Sequence, residues 1–206
     1  MNLEIREDKV VIDGYVNAVE RNSRPLKSRL GQFVERIQKG AFTRALERND
    51  DVAVLLNHDP TRRLGGTKEG NLKLKEDAIG LHARAEITDP EVIDEARNGN
   101  LVGWSFGFYD IPGGVTESVE NGMRVRSVGD MDLREVSIID RRKRPAYEGT
   151  LIMARDDEQP LYGGEVLESE VVITDETRAE QAEQPDTIDY TKWEKIIEEM
   201  KEEQAT

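Results

Sequence analysis

Leu101-Val102-Gly103-Trp104-Ser105-Phe106-Gly107-Phe108-Tyr109 is the most apolar and aromatic run in an otherwise polar chain. Its length and aromatic content predict a buried β-strand. One hydroxyl, Ser105, stands at its centre between Trp104 and Phe106, and Gly103 and Gly107 bracket it. Side chains alternate across a strand, so Trp104 and Phe106 share the face opposite Ser105 and read as core. Glycine inside a strand marks a bulge or a close approach by another backbone or a ligand. The stretch thus reads as a strand anchored by aromatics that presents a serine, with glycines leaving room for a substrate to lie against the backbone.

Working outward, the chain predicts more strands than helices. Residues 3–20 are rich in β-formers around Asp13-Gly14, which reads as a hairpin turn or as a bulge in one long strand. Asn22 to Gly31 reads as an exposed loop and Phe33 to Ile37 as a short strand or turn. Gly40 to Arg48 reads as a helix, with Phe42, Ala45 and Leu46 on one face. Asp51 to Leu56 reads as a buried strand that ends at Asn57, placing His58 where the strand meets a Pro-terminated turn. Thr61 to Gly70 reads as a basic, glycine-rich loop. Residues 71–76 and 79–87 alternate and predict a hairpin. Thr88-Asp89-Pro90-Glu91 predicts a helix start, and Asn98-Gly99 its stop. Residues 111–121 read as a hairpin loop, 123–128 and 131–139 as strands, Arg141 to Arg144 as a basic turn, and 146–153 as a closing strand.

The 206-residue chain carries a formal charge of −14, unevenly spread. Residues 151–206 hold 17 acids against 5 bases, whereas residues 1–150 are close to balanced. The expected organisation is a domain over 1–154, an acidic disordered linker over 155–186 and an amphipathic C-terminal helix over 187–206. The balanced part has no overall basic footprint, so nucleic acid is not an expected partner. No apolar run is long enough to span a membrane and no signal peptide is visible, so a soluble intracellular chain is expected. The absence of cysteine excludes disulfides, thiolate metal sites and a cysteine nucleophile.

Serine hydrolysis needs a hydroxyl, a base within hydrogen-bond reach and a group that fixes the base's tautomer. Ser105 supplies the first. There are two histidines. His82 lies mid-strand in an alternating pattern, where a packed or solvated role is the simpler reading. His58 sits at the end of a strand able to neighbour that of Ser105. The third member is Glu135, an acid inside the apolar strand Leu133-Arg134-Glu135-Val136-Ser137, or Asp59 beside the histidine. Against Glu135 stands its reading as a solvated residue or a partner of Arg134. Ser137 is a weaker rival nucleophile, more simply read as strand packing. No metal or cofactor is expected.

The ordered set resembles the tailed-phage prohead proteases, themselves similar to the herpesvirus assemblins. It runs through Gly14-Tyr15, Gly40-Ala41-Phe42, Leu56-Asn57-His58-Asp59-Pro60, Leu64-Gly65, Gly80-Leu81, Gly103-Trp104-Ser105-Phe106-Gly107-Phe108, Leu133-Arg134-Glu135-Val136-Ser137 and Pro145-Ala146-Tyr147. It covers residues 9–152. The resemblance implies an α+β, mainly β fold: an antiparallel barrel-like β core with a few surrounding helices, herpesvirus-protease-like, plus the acidic tail. It also implies a serine endopeptidase with Ser105 as nucleophile, His58 as general base and Glu135 as third member, where assemblins use a second histidine. The expected setting is the interior of an immature capsid in the host cytoplasm. The expected partners are the major capsid protein and/or a scaffold protein, with room for a homodimer. The chain departs from the pattern in Asp140-Arg141-Arg142-Lys143-Arg144, which reads as a loop carrying an arginine toward the oxyanion or as a solvated basic turn. Two other classes fit the same residues: a catalytically idle assembly protein on this fold, and a small β-barrel binding module whose aromatic run is a ligand surface or core.

Overall fold

The computed structural model describes residues 1–28, 31–141, 161–168 and 170–177. One compact unit spans Met1–Glu176. Its strands are β1 (Asn2–Ile5), β2 (Val10–Ala18), β3 (Leu26–Ser28), β4 (Gly31–Ile37), β5 (Ala53–Leu56), β6 (Asp59–Gly66), β7 (Leu72–Glu76), β8 (Gly80–Ile87), β9 (Leu101–Asp110), β10 (Val115–Glu120), β11 (Met123–Val128), β12 (Met131–Asp140), β13 (Leu161–Glu168) and β14 (Val172–Asp175). Among the described residues two helices, α1 (Ala41–Arg48) and α2 (Pro90–Arg97), accompany them, so the fold is mainly β. Among the described residues no helix is long and apolar enough to cross a membrane.

The strands form three open sheets, ordered β14-β1-β2-β8-β7, β10-β11-β4-β3 and β13-β9-β12-β5-β6. This corrects the barrel expectation. Closure needs the outer strands of one sheet to pair with each other, and among the described residues each sheet keeps two edges. Nor is the pairing purely antiparallel: β1 with β14, β11 with β4 and β12 with β5 run parallel.

The aromatic face of β9 is core, as its alternation predicts. Trp104, Phe106 and Phe108 are almost wholly buried. They share one apolar cluster with Ile12, Val16, Leu81 and Leu133. Phe42 of α1 meets Phe106 edge-on, with centroids 5.3 Å apart, and Phe106 stacks on Phe108 at 5.6 Å. Asp13-Gly14 is neither turn nor bulge: both residues pair in register with β8, and the irregularity falls between Tyr15 and Asn17. Gly14 lies close to Met1: a Cβ there would meet Met1 Cα at 3.3 Å, so the first residue would have to shift to admit it.

Helix α2 starts as predicted. Asp89 accepts from the N–H groups of Glu91 and Val92, and Pro90 occupies the first turn. Helix α1 has no such cap, because Gly40 has no side chain to offer. The carboxylate of Glu76, from β7, replaces it by accepting from Gly40 N and Thr43 N, both at 2.7 Å, and from Thr43 Oγ1 at 2.8 Å. Glu76→Ala leaves these donors to water and removes an anion from the positive helix end. It should cost about 1–2 kcal/mol of stability, read from the denaturant midpoint.

An ion cluster with a buried Arg126–Glu35 pair joins β11 and β4 to the end of β9. Arg126 donates to Glu35 and to Asp110 and lies 5.9 Å over the Phe108 ring. Burial pushes the Glu35 carboxyl up, with Arg126 pulling the other way.

Several segments read as loops are strands. The 61–70 loop is largely β6, an edge strand, which is where a polar run opening on Asp59-Pro60 is tolerated. The 111–121 loop holds β10, also an edge strand and mostly exposed. Within the expected linker, β13 pairs with β9 and β14 with β1. The expected closing strand at 146–153, the basic turn beyond Arg141, and the C-terminal helix at 187–206 lie outside the described residues.

Candidate active site

The site is built on three adjacent strands, β9, β12 and β5. Two rows of residues cross them: Ser105 faces Ser137, which faces Leu55, and Gly107 faces Glu135, which faces Ala53. Directly opposed residues point to the same side of a sheet, so Ser105, Gly107, Ser137 and Glu135 share the face away from the aromatic core.

Glu135 reaches that face because β12 carries a bulge. Phe108 pairs with Leu133 but Gly107 pairs with Glu135, leaving Arg134 as an extra residue. One added residue reverses which side every later side chain faces. Before the bulge Met131 and Leu133 point into the core; after it Val136 and Ile138 do. Without it, Leu133 and Glu135 would share a face. Arg134 turns outward, paired with Asp132 at 2.9 Å and lying over the Tyr109 ring at 5.3 Å.

His58 is held by a two-residue hairpin turn. Leu56 pairs with Asp59, and the residues between them, Asn57 and His58, both have φ 57°. Positive φ at both central positions is the mark of a type I′ turn. This sharpens the expectation of a histidine at a strand end: His58 lies inside the turn, and Asp59-Pro60 opens β6. The turn is tied to β12 by three contacts. Asn57 N donates to Ile138 O at 2.9 Å, Asp140 N donates to Asn57 Oδ1 at 3.1 Å, and His58 N donates to Ser137 Oγ at 3.0 Å.

The imidazole is oriented by Glu135. His58 Nδ1 lies 2.7 Å from Glu135 Oε1, and Ser137 Oγ donates to Glu135 Oε2 at 2.5 Å. The carboxylate is nearly buried, 7% exposed at the side chain, while His58 is 22% exposed. An acceptor-only carboxylate at Nδ1 fixes the proton there and leaves Nε2 with its lone pair. Asp59 Oδ1 accepts from Thr61 N at 2.9 Å and Thr61 Oγ1 at 2.7 Å, capping its own turn.

Ser105 is 1% exposed and stands directly opposite the hydroxyl that joins His58 to Glu135. Its strand is flanked on the other side by β13. His82 sits in a different sheet, 3.1 Å from Asp13 Oδ1 and edge-on to Tyr15. Among the described residues no three His, Cys, Asp or Glu side chains gather as a metal site.

A family model described as caudovirus prohead serine protease matches residues 1–160, a span that contains Ser105, His58 and Glu135. The chain belongs to that family. Membership implies a serine peptidase and supports a role in capsid maturation. No curated protein and no solved structure matches the chain.

Sequence reasoning does not anticipate how two residues support Glu135 in the candidate site. In the sequence Ser137 reads as a rival nucleophile or as packing, and Gly107 as an opening for a peptide. Ser137 in fact holds the carboxylate. A Cβ on Gly107 would lie 2.4 Å from Glu135 Oε1, so that glycine makes room for the acid.

Proposed function

We propose that this chain is a serine endopeptidase that matures a phage prohead, with Ser105, His58 and Glu135 as its catalytic set. The observation that carries the reading is the buried Glu135 carboxylate on His58 Nδ1 at 2.7 Å, one register row from Ser105. Ser105 Oγ attacks the scissile carbonyl while His58 Nε2 takes its proton. Glu135 stabilises the imidazolium that forms. The same proton passes to the leaving amine, an acyl-Ser105 ester remains, and water hydrolyses it with His58 again as base. Backbone N–H groups near the glycines stabilise the oxyanion.

The substrates we propose are the scaffold protein or the scaffolding segment of the major capsid protein, inside the immature capsid, and the chain itself. The register of β13 supports the last. Gly163 pairs with Phe106 and Leu167 with Trp104, so Gly164, Glu165 and Val166 together span the place opposite Ser105. The chain thus lays its own backbone along the nucleophile strand, and the ladder lapses there.

A fluorophosphonate reagent tests the assignment. The full chain should take up one adduct, mapped by mass spectrometry to Ser105, and Ser105→Ala should take up none. An adduct on another serine would sink the choice of nucleophile. On standing, the unlabelled chain should be cut between 163 and 167. A fragment pattern shared with Ser105→Ala would remove self-cleavage.

A further inference from the structure

We infer that Ser137 is a positioning residue that holds both ends of the general base; the inference rests on the catalytic set proposed above. Its hydroxyl has one proton and two lone pairs. The proton goes to Glu135 Oε2 at 2.5 Å, and one lone pair accepts the backbone N–H of His58 at 3.0 Å. The side chain is fully buried, so water does not compete for either bond. One atom therefore fixes the carboxylate that orients the imidazole and the turn that carries it.

This arrangement settles the rivalry between the two serines by proton accounting. A nucleophilic serine must give its proton to the histidine. The Ser137 proton is committed to Glu135, and its contact with His58 is to the backbone nitrogen, where it accepts. Ser137 thus cannot be activated by the Nε2 lone pair while the carboxylate is clamped.

The geometry also assigns a division of labour within Glu135. Oε2 is held by Ser137, and Oε1 is left for His58 Nδ1. A carboxylate bonded only through Oε1 can rotate about its terminal torsion, which has broad preferences. With Oε2 pinned, rotation would break a short charge-assisted bond, so the imidazole is held in plane. The β12 bulge contributes here, since it places Glu135 and Ser137 on the same side of the strand.

Ser137→Ala removes the hydroxyl and leaves Glu135 Oε2 and His58 N–H without it. Loss of a hydrogen bond to a charged group should slow fluorophosphonate labelling of Ser105 roughly 10- to 100-fold. Turnover of a peptide substrate should show the same loss in kcat, with KM little changed. Ser137→Cys, similar in shape with a weak donor and acceptor, should fall between serine and alanine.

A spectroscopic readout separates positioning from general destabilisation. The chain has two histidines, so ¹⁵N-histidine labelling gives two imidazole spin systems. In the full chain the His58 Nδ1 proton should be protected from exchange; in Ser137→Ala it should shift or broaden away. His82, held by Asp13 in another sheet, should be unmoved. The inference is overturned if the alanine variant labels within about twofold of wild type and the His58 resonance stays in place. Wild-type-like cysteine with impaired alanine would also overturn it, since shape alone would then suffice. If wild type takes no label, the peptidase reading fails, and the His58 resonance still decides whether Ser137 holds the base.

Discussion

Glu135→Gln should lower kcat by about four orders of magnitude while the fold survives. The amide is nearly the shape of the carboxylate, so packing against Gly107 is kept. Its oxygen can face His58 Nδ1 and its NH₂ can face Ser137 Oγ, whose second lone pair is available to accept. Three things are nonetheless lost. The negative charge that stabilises the imidazolium is gone. The amide can present NH₂ instead of oxygen to Nδ1, which selects the wrong tautomer. The clamp on Oε2 becomes a neutral contact. KM should change little, because Glu135 is nearly buried and touches the base, not the peptide. Asp59→Asn is the companion variant and should retain most activity, since Asp59 Oδ1 holds the Thr61 backbone and hydroxyl. Steady-state kinetics on a peptide substrate would check both. A loss below tenfold in Glu135→Gln with a large loss in Asp59→Asn would reverse their roles.

Much of this arrangement was legible in the sequence because it follows from alternation. The aromatics of 104, 106 and 108 had to share a face, and that face is core. The position of Glu135 was legible too, though harder to see. Ile139 apart, the apolar residues of β12 fall at 131, 133, 136 and 138, two apart, then three, then two. That phase slip is the bulge, and it explains how an acid sits in an apolar strand without entering the core.

What was not legible has physical reasons. The turn at Asn57-His58 carries no glycine, so the usual signal of a primed hairpin is missing. Asparagine and histidine are among the non-glycine residues that enter the left-handed region most readily, and three bonds from β12 hold this pair there. Edge strands β6 and β10 looked like loops because one or both of their faces meet water. The barrel expectation came from a family resemblance; no single strand encodes whether a sheet's two edges find each other. The role of Ser137 depends on which face it shares, and so on the bulge. A packed serine and a clamping serine look alike in sequence.

Gly107→Ala should cost at least about 100-fold in kcat although it adds one methyl group. Gly107 is not among the glycines with positive φ, so alanine meets no backbone penalty there. The effect is steric. The new Cβ would stand 2.4 Å from Glu135 Oε1, 3.2 Å from Cδ and 3.3 Å from Cγ. A free surface glutamate would swing away at little cost. This one is held at Oε1 by His58 and at Oε2 by Ser137, so it can yield only by breaking one of those bonds. The alternative is for β9 to part from β12, which disturbs the row containing Ser105. Either way the base loses its orientation or the nucleophile its position, and overpacking should cost about 1–3 kcal/mol of stability. The mechanism makes a second demand. Glu135→Asp withdraws the carboxylate by one methylene and should be impaired alone, yet combined with Gly107→Ala it should be less impaired than the two single losses multiplied. A double-mutant cycle on kcat/KM reads this as favourable coupling. Strict multiplicativity would mean that Gly107 and Glu135 act independently, and that the glycine serves the peptide groove instead.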